Sequence, residues 1–503
     1  MSRDTPLRPR RAMLAAIVPA AALAAGMAAL TRDPAPRPDV SVRIASAPAS
    51  RPIPPGFVGL SLEFPAVLAY TGAQPGVVDP VFLQLVRNLA PGQSPVLRIG
   101  GDSTDGTWWR VRGHARPGGV SYTLSPLWLQ NTRTLAQRLR AHLILGIELE
   151  ANQPALSGAE ARAFLAGIGR RSIEALEIGN EPNRYTALPW YHSSPRHPVF
   201  GRHGRYDFGA FAADFARVRR ALPAVPLAGP TVGGFDWLAP LRGFLAAEPR
   251  LAVVTLHRYP LNRCFTLPRS PTYPTVAKLL APRTSRGLAA GIAPYAALAH
   301  RHRVGFRVDE MQSVACGGKR GVSNTFAAAL WALDTLFSLA GQGVDGVNVH
   351  TFPDARYQLF SFRHAEGRRL ASVSPEYYGL AMFARAAPPG SRLLPVQVTG
   401  AGSALRAWAT RARDGRWLVL LINDDTSRRH VVAIAGPPRA RATLERLSAP
   451  SAWATSGATL GGRRFDPATG ALTGPPRTEP VTPSAGRYTV ALAPMSAALL
   501  TVR

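Results

Sequence analysis

The sequence predicts a (β/α)8 barrel followed by an antiparallel β-sandwich, and three observations carry that prediction. First, eight short apolar runs recur at residues 57–63, 96–99, 143–148, 175–178, 227–229, 252–256, 305–309 and 346–350. Most are near-continuous in apolar residues, as parallel strands buried on both faces must be. Second, stretches of helical periodicity lie between them, for instance 80–89, 127–139, 159–168, 208–222 and 323–339, so strand and helix alternate as in a closed α/β barrel. Third, helical periodicity gives way after about residue 391 to short β-rich runs at 393–398, 404–410, 417–423, 431–435 and 488–492, separated by turn residues such as Asp414-Gly415. That pattern describes an antiparallel sandwich.

A doubly wound sheet is the competing arrangement for the first part. No glycine-rich phosphate loop follows the first apolar run, which counts against a dinucleotide-binding fold. The chain accordingly divides into a leader or anchor with its linker (1–38), a short segment (39–55) whose alternating stretch 40–44 joins the sandwich as a strand, the barrel (56–385) and the sandwich (386–503).

With 503 residues and 46% hydrophobic content, the chain has ample material for a large core and more than one domain. The formal net charge of +29 is almost all arginine; Lys278 and Lys319 are the two lysines. Arginine without lysine, beside abundant alanine, is what GC-rich coding produces. The basic residues are spread along the chain and form no dense run interleaved with aromatics, so no nucleic-acid module is expected. A positive surface suits an acidic glycan better. His257 and His350 close strands without a third ligand near them, and neither metal nor cofactor is expected.

At the N-terminus, Arg8, Arg10 and Arg11 precede an apolar run at 12–30 and a Pro-rich stretch to Asp39. Basic residues before an apolar run describe an export signal, and Arg10-Arg11 weakly resembles a twin-arginine signal. The run is also long enough to span a bilayer, so an uncleaved anchor is the alternative. The expectation is an exported protein, periplasmic or secreted, that touches a membrane only through this segment. In such a protein Cys264 and Cys316 can pair; two buried free thiols are the other reading.

Chemistry in such a barrel sits where the strands end. The fourth run closes Leu176-Glu177-Ile178-Gly179-Asn180-Glu181-Pro182 and the seventh closes Arg307-Val308-Asp309-Glu310-Met311. Two carboxylates, Glu181 and Glu310, thus project from strand ends on opposite sides of one barrel mouth. Glycoside hydrolysis needs such a pair, one carboxyl protonated to assist the leaving group and one ionised for attack. Two exposed glutamates in surface ion pairs are the plain alternative. Asp309 is expected to face away along its strand, and Glu177 to be structural.

The Asn180-Glu181-Pro182 turn, with a second strand-end Glu three strands later, resembles the signature of clan A retaining glycoside hydrolases. Further motifs narrow the resemblance: Leu97-Arg98-Ile99-Gly100-Gly101-Asp102-Ser103, His257-Arg258-Tyr259-Pro260, Gln312-Ser313-Val314-Ala315-Cys316-Gly317-Gly318, and His350-Thr351-Phe352-Pro353 with Tyr357 close behind. Together, over about residues 56–378, these resemble glycoside hydrolase family 79, which contains β-glucuronidases and heparanases. The resemblance implies Glu181 as acid/base and Glu310 as nucleophile. It implies that Asn180 bonds the sugar 2-hydroxyl and that Glu63 and Asp102 hold ring hydroxyls. Tyr259, Tyr357 and the backbone of Gly317 and Gly318 would receive the uronic carboxylate, and Arg98 would buttress the catalytic pair. Asp102 departs from the better-known mammalian members, which carry a neutral side chain there.

The carboxylate pocket also has a physical rationale. N–H groups of a Gly-Gly turn can both point at an anion with no Cβ in the way, and tyrosine hydroxyls donate without placing a full charge beside the catalytic pair. Lys319 and Arg320 read as solvated loop charges. The expected partner is a uronic-acid-containing oligo- or polysaccharide. A clan A β-glycosidase acting on neutral sugars and a non-catalytic glycan-binding surface protein are the alternatives. The disulfide reading gains a purpose here, since a Cys264–Cys316 bridge would pin the loop that carries the glycines.

Overall fold

The computed structural model describes residues 37–503 apart from 366, 401, 403 and 439. The leader-or-anchor reading of 12–30 lies outside the described residues, among which no helix is long and apolar enough to cross a membrane.

Eight parallel strands close into a barrel: β1 Val58–Glu63, β2 Val96–Gly100, β3 His142–Ile147, β4 Ile173–Ile178, β5 Leu227–Val232, β6 Leu251–Arg258, β7 Gly305–Met311 and β8 Gly346–His350. Each pairs with its sequence neighbour, and β8 returns to β1. This is the (β/α)8 barrel that the alternation predicts. Strands β2 and β5 are buried at every position, which is why their runs carry no polar alternation.

The helices owe their starts to local caps. Asp79 accepts from the Val81 and Phe82 amides to open Pro80–Leu89, Ser125 opens Pro126–Leu139, and Asp207 opens Phe208–Ala221. Proline at the first turn of the first two loses no intrahelical bond. Helix Phe326–Gly341 is buried on nearly all sides. Its one carboxylate, Asp334, accepts from Ser285 and from Trp408 Nε1, with Arg406 at 3.3 Å, which satisfies a charge that burial alone would expel.

The C-terminal part is a two-sheet sandwich. One sheet runs Val396–Thr399, Val40–Ile44, His430–Ala435, Tyr488–Leu492; the other runs Arg392–Leu394, Leu405–Arg411, Trp417–Asn423, Ser496–Val502, Ala442–Ser448, Thr459–Leu460. Val40–Ile44 lies antiparallel to Val396–Thr399 and parallel to His430–Ala435. The run read as one strand at 393–398 is two strands on different sheets. Pro395 interrupts it, because it has no N–H to continue a ladder. Between Thr459 and Thr478 the chain packs back on the barrel, with the Phe465 ring centroid 4.8 Å from that of Tyr377 and Asn88 Nδ2 donating to Gly470 O over 2.7 Å. The barrel thus shares one apolar core with the facing side of the larger sheet, while the two sheets enclose a second core between them.

Candidate active site

The ends of β1, β2, β4, β6, β7 and β8 converge on one buried guanidinium. Arg98, on β2, is inaccessible to solvent. Its Nε donates to Glu177 Oε2 (2.8 Å), Nη1 to Glu310 Oε2 (2.6 Å) and Nη2 to Asn180 Oδ1 (2.8 Å). A planar fork of five N–H groups is what lets one side chain tie β4 to β7 across the barrel.

Asp309 is not turned away, contrary to the alternation expected of its strand. It is fully buried, with Oδ2 3.6 Å from Arg98 Nε and 3.7 Å from His257 Nε2. The pairing of β7 shifts register on both sides, between Thr255 and His257 of β6 and between Val308 and Met311 with β8. That irregularity lets Asp309 and Glu310 both point inward. Burial, then the Asp309 charge, pushes Glu177 up to about 8 while His257 holds Asp309 low. Glu177 Oε1 and both Asp309 oxygens lack a hydrogen-bond donor among the described residues, and one proton on Glu177 toward Asp309 would satisfy two of these three oxygens.

Glu310 receives two donors, Arg98 on Oε2 and the Tyr259 hydroxyl on Oε1 at 2.6 Å. Burial would raise its carboxyl, but His350, His257, Arg98 and the Tyr259 hydrogen bond hold it far below the usual range. Glu181 sits in the left-handed turn after β4 (φ 45°), its amide donating to Thr231 O of β5. Its Oε1 lies 3.1 Å from His257 Nδ1, and its Oε2 is ion-paired with Arg184. Burial pulls Glu181 upward, and the His257 bond and charge, aided by Arg184, outweigh it and leave the carboxyl low.

His257 joins the two carboxylates. Its Nδ1 lies 3.1 Å from Glu181 and 3.9 Å from Glu310 Oε2, so those two oxygens are no more than about 7 Å apart. That bound admits the roughly 5–5.5 Å of a retaining pair and lies below most of the roughly 6.5–9.5 Å range of inverting ones. Although burial opposes it, the charges of Glu310 and Asp309 raise His257 well above its ordinary value. The residues alone mark it as a hydrogen-bonding strand end; its bridging position emerges only in three dimensions.

On the β1 and β2 side, Glu63 accepts from the amide and hydroxyl of Ser103 and from the Asp102 amide, with His350 Nε2 at 3.3 Å. Asn180 Nδ2 reaches Asp102 Oδ1 at 3.4 Å. Asp102 remains open to solvent at the cleft floor. Partial desolvation there, with Glu63, Glu310 and Glu181 around it, pushes it up to about 7.

The loop after β7 brings Gly317 and Gly318 beside Tyr357. Both glycines have positive φ (75° and 81°), and a Cβ on Gly318 would lie 3.0 Å from Tyr357 Cδ1. Gly317 O accepts from the Arg356 amide, whereas neither glycine amide donates to an acceptor among the described residues. Cys264 and Cys316 form a disulfide that ties this loop to the one after β6. Lys319 turns away, donating to Pro274 O and lying 4.1 Å over the Tyr273 ring. Tyr259, expected to receive the uronic carboxylate, donates its hydroxyl proton to Glu310 in this structure.

Beside Glu181, toward the loop after β4, opens a cavity of about 250 Å³ lined by Arg184, Leu188, Trp190, Glu150 and Asp105 among others. Asp105 accepts from the amides of Leu149, Glu150 and Asn180 and from the Tyr185 hydroxyl, clamping the ends of β3 and β4 together. Nothing in the sequence around Asp105 signals that clamp. No group of three His, Cys, Asp or Glu among the described residues is disposed to hold a metal ion.

No protein-family model matches the sequence, and no curated protein does. Among solved structures, the fold is similar to that of a 4-O-α-L-rhamnosyl-β-D-glucuronidase from Fusarium oxysporum 12S in complex with Rha-GlcA, at 20% identity over 92% of this chain and 100% of that one, with a TM-score of 0.70. It is also similar to a GH51 arabinofuranosidase from Xanthomonas axonopodis pv. citri (16% identity, 93% and 100% covered, TM-score 0.65) and to the catalytic domain of a GH30 xylanase C from Talaromyces cellulolyticus (11%, 92% and 100%, TM-score 0.55). At these identities the likeness establishes a shared fold.

Proposed function

We propose that this chain is a retaining β-glucuronidase-type glycoside hydrolase, similar to glycoside hydrolase family 79, with Glu310 as nucleophile and Glu181 as acid/base. The observation that carries the reading is the Glu310 carboxylate, held ionised by Arg98 and Tyr259, facing Glu181 within the reach of one imidazole. In this reading a Glu310 oxygen attacks the anomeric carbon while Glu181 gives its proton to the departing glycosidic oxygen. Glu181 then takes a proton from water as that water displaces Glu310, releasing the sugar with its starting configuration. Tyr259 and Arg98 keep Glu310 oriented between the steps, and Asn180, Glu63 and Asp102 serve the ring hydroxyls.

The uronic acid rests on the other end of the pocket. Two unengaged amides, on Gly317 and the buried Gly318, beside the Tyr357 ring, suit a carboxylate better than a neutral hydroxymethyl group. The Fusarium protein, whose fold this chain shares, is a β-D-glucuronidase, and that kinship supports the same substrate class. The disulfide is in keeping with an exported protein, since such bridges persist in oxidising compartments.

A panel of aryl β-glycosides tests the reading. The purified protein is expected to hydrolyse the β-glucuronide and to leave β-glucoside and β-xyloside largely intact, and Glu310→Gln is expected to abolish turnover. Equal rates on all three would remove the uronate assignment. A fully active Glu310→Gln protein would remove the mechanism.

A further inference from the structure

The general acid must carry a proton when substrate is bound, yet in this structure Glu181 is held by two basic side chains. One of them, His257, is buried and fixed by Thr231 Oγ1 at 3.0 Å. The other, Arg184, is not. It stands on the short turn Pro182–Arg184, its side chain is 33% exposed, and no guanidinium hydrogen bond other than the ion pair to Glu181 is made among the described residues. Its head borders the 250 Å³ cavity beside Glu181, which the glycosidase reading assigns to the leaving group.

The remaining lining sets the chemistry of that cavity. Asp105 is saturated with donors, and burial followed by the Asp105 charge pushes Glu150 up to about 9, so Glu150 is neutral. Arg202 nearby is committed to Asp214 and to the carbonyls of Leu149, Glu150 and Gly201. Trp190 is pinned by its Nε1 donating to Asp105 O over 2.8 Å. The cavity thus offers an indole, an apolar Leu188, the Asn180 amide and the Asp102 carboxylate on its Glu181 side, and one cation with free N–H groups.

Resting on the glycosidase reading above, we propose that Arg184 selects a leaving group that bears an acidic substituent, a carboxylate or sulfate, and that in moving to this anion it removes one of the two basic partners that hold the Glu181 carboxyl. Glu181 takes up one proton from solvent as the guanidinium departs, and the only covalent bonds changed afterwards are those of glycoside cleavage. The charged groups facing Glu181 are His257 and Arg258 from the end of β6, Arg184 from its own turn, Glu310 from β7 and Asp102 from the loop after β2. Of these, Arg184 alone borders the leaving-group cavity while holding Glu181. Arg184 is a positioning and specificity residue: it acts on the reaction through Glu181.

The test compares 3-carboxyphenyl and 3-carbamoylphenyl β-glucuronides, with the 2,4-dinitrophenyl glucuronide, whose departure needs no proton. The wild type is expected to favour the carboxyphenyl substrate over the carbamoyl one by about tenfold in kcat/KM, the value of one charged hydrogen bond. Arg184→Gln is expected to bring that ratio near one and to move the alkaline limb of the carbamoyl pH profile upward. Arg184→Lys is expected to restore part of the preference. A wild-type ratio near one, or an Arg184→Gln protein that keeps both the ratio and the limb, overturns the proposal while leaving the glucuronidase reading intact. Failure to cleave any of the three, the dinitrophenyl substrate included, overturns both.

Discussion

Arg98 on β2 donates to Glu310 on β7 over 2.6 Å inside the barrel, and both side chains are buried. The same guanidinium also serves Glu177 and Asn180, so one residue both balances the buried acids and aims the Glu310 carboxylate. Replacing it with methionine strands Glu177, Asp309 and Glu310 without their cation. Unfolding free energy is expected to fall by about 3–5 kcal/mol, the range for breaking a buried pair from one side, with loss of turnover. Chemical denaturation and initial rates check this; an Arg98→Met protein as stable as the parent contradicts it.

Tyr259 tests Glu310 more gently, because its hydroxyl donates to that carboxylate and otherwise meets only the neutral Tyr357 hydroxyl among the described residues. Tyr259→Phe removes one hydrogen bond to a charged acceptor, and kcat is expected to drop roughly 10–100-fold with a smaller change in KM. A change confined to KM would place Tyr259 on the substrate instead.

Gly318 and Gly317 make a matched pair for the anion pocket. Alanine at Gly318 meets both a left-handed backbone (φ 81°) and contacts at 3.0 Å with Arg356, Ser323 and Tyr357, whereas a Cβ on Gly317 meets nothing within 4 Å. Each bears the left-handed cost of about 1–2 kcal/mol, and Gly318→Ala also disturbs Tyr357. Gly318→Ala is expected to raise KM for a glucuronide more than Gly317→Ala does. The reverse order in steady-state kinetics contradicts this geometry.

The buried charges make stability depend on pH in a signed way. Glu310 is held low in the fold, so its contribution is present above the ordinary carboxylate value near pH 4 and is lost as pH falls below it. His257 is raised in the fold, so its contribution is complete below about pH 6.5 and is lost as pH rises through its higher folded value. Melting temperature is therefore expected to be highest between about pH 5 and 6.5. His257→Gln is expected to flatten the alkaline decline; an unchanged decline in scanning calorimetry contradicts the assignment.

The Cys264–Cys316 bridge leaves no free thiol among the described residues. Alkylation of the folded protein without reductant is expected to add no mass, and reduction is expected to raise KM by freeing the loop that carries Gly317 and Gly318. Two thiols labelled in the unreduced protein would contradict the bridge.

Much of this arrangement is legible in the residues themselves. The eight barrel strands read clearly because burial on both faces leaves uninterrupted apolar runs, and Glu181 and Glu310 stand out because they end such runs. The sandwich strands Ala442–Ser448 and Ser496–Val502 escape notice, the latter because its Ala-Ala-Leu-Leu centre suits a helix as well as a strand. Asp309 is misread because a register shift overrides strict alternation. His257 and Arg184 are invisible as partners of Glu181, since their meeting depends on how β4 and β6 lie in space. Tyr259 is found as a site residue, but its contact with Glu310 emerges only in three dimensions, because a side chain next to a strand end can serve either the enzyme's carboxylate or the substrate's.

The most direct test of the central claim is proton NMR of the first product released from an aryl β-glucuronide. Glu310 attacking opposite Glu181 is expected to release the β-anomer of glucuronic acid first, with the α-anomer appearing only by mutarotation. The α-anomer appearing first would contradict the account.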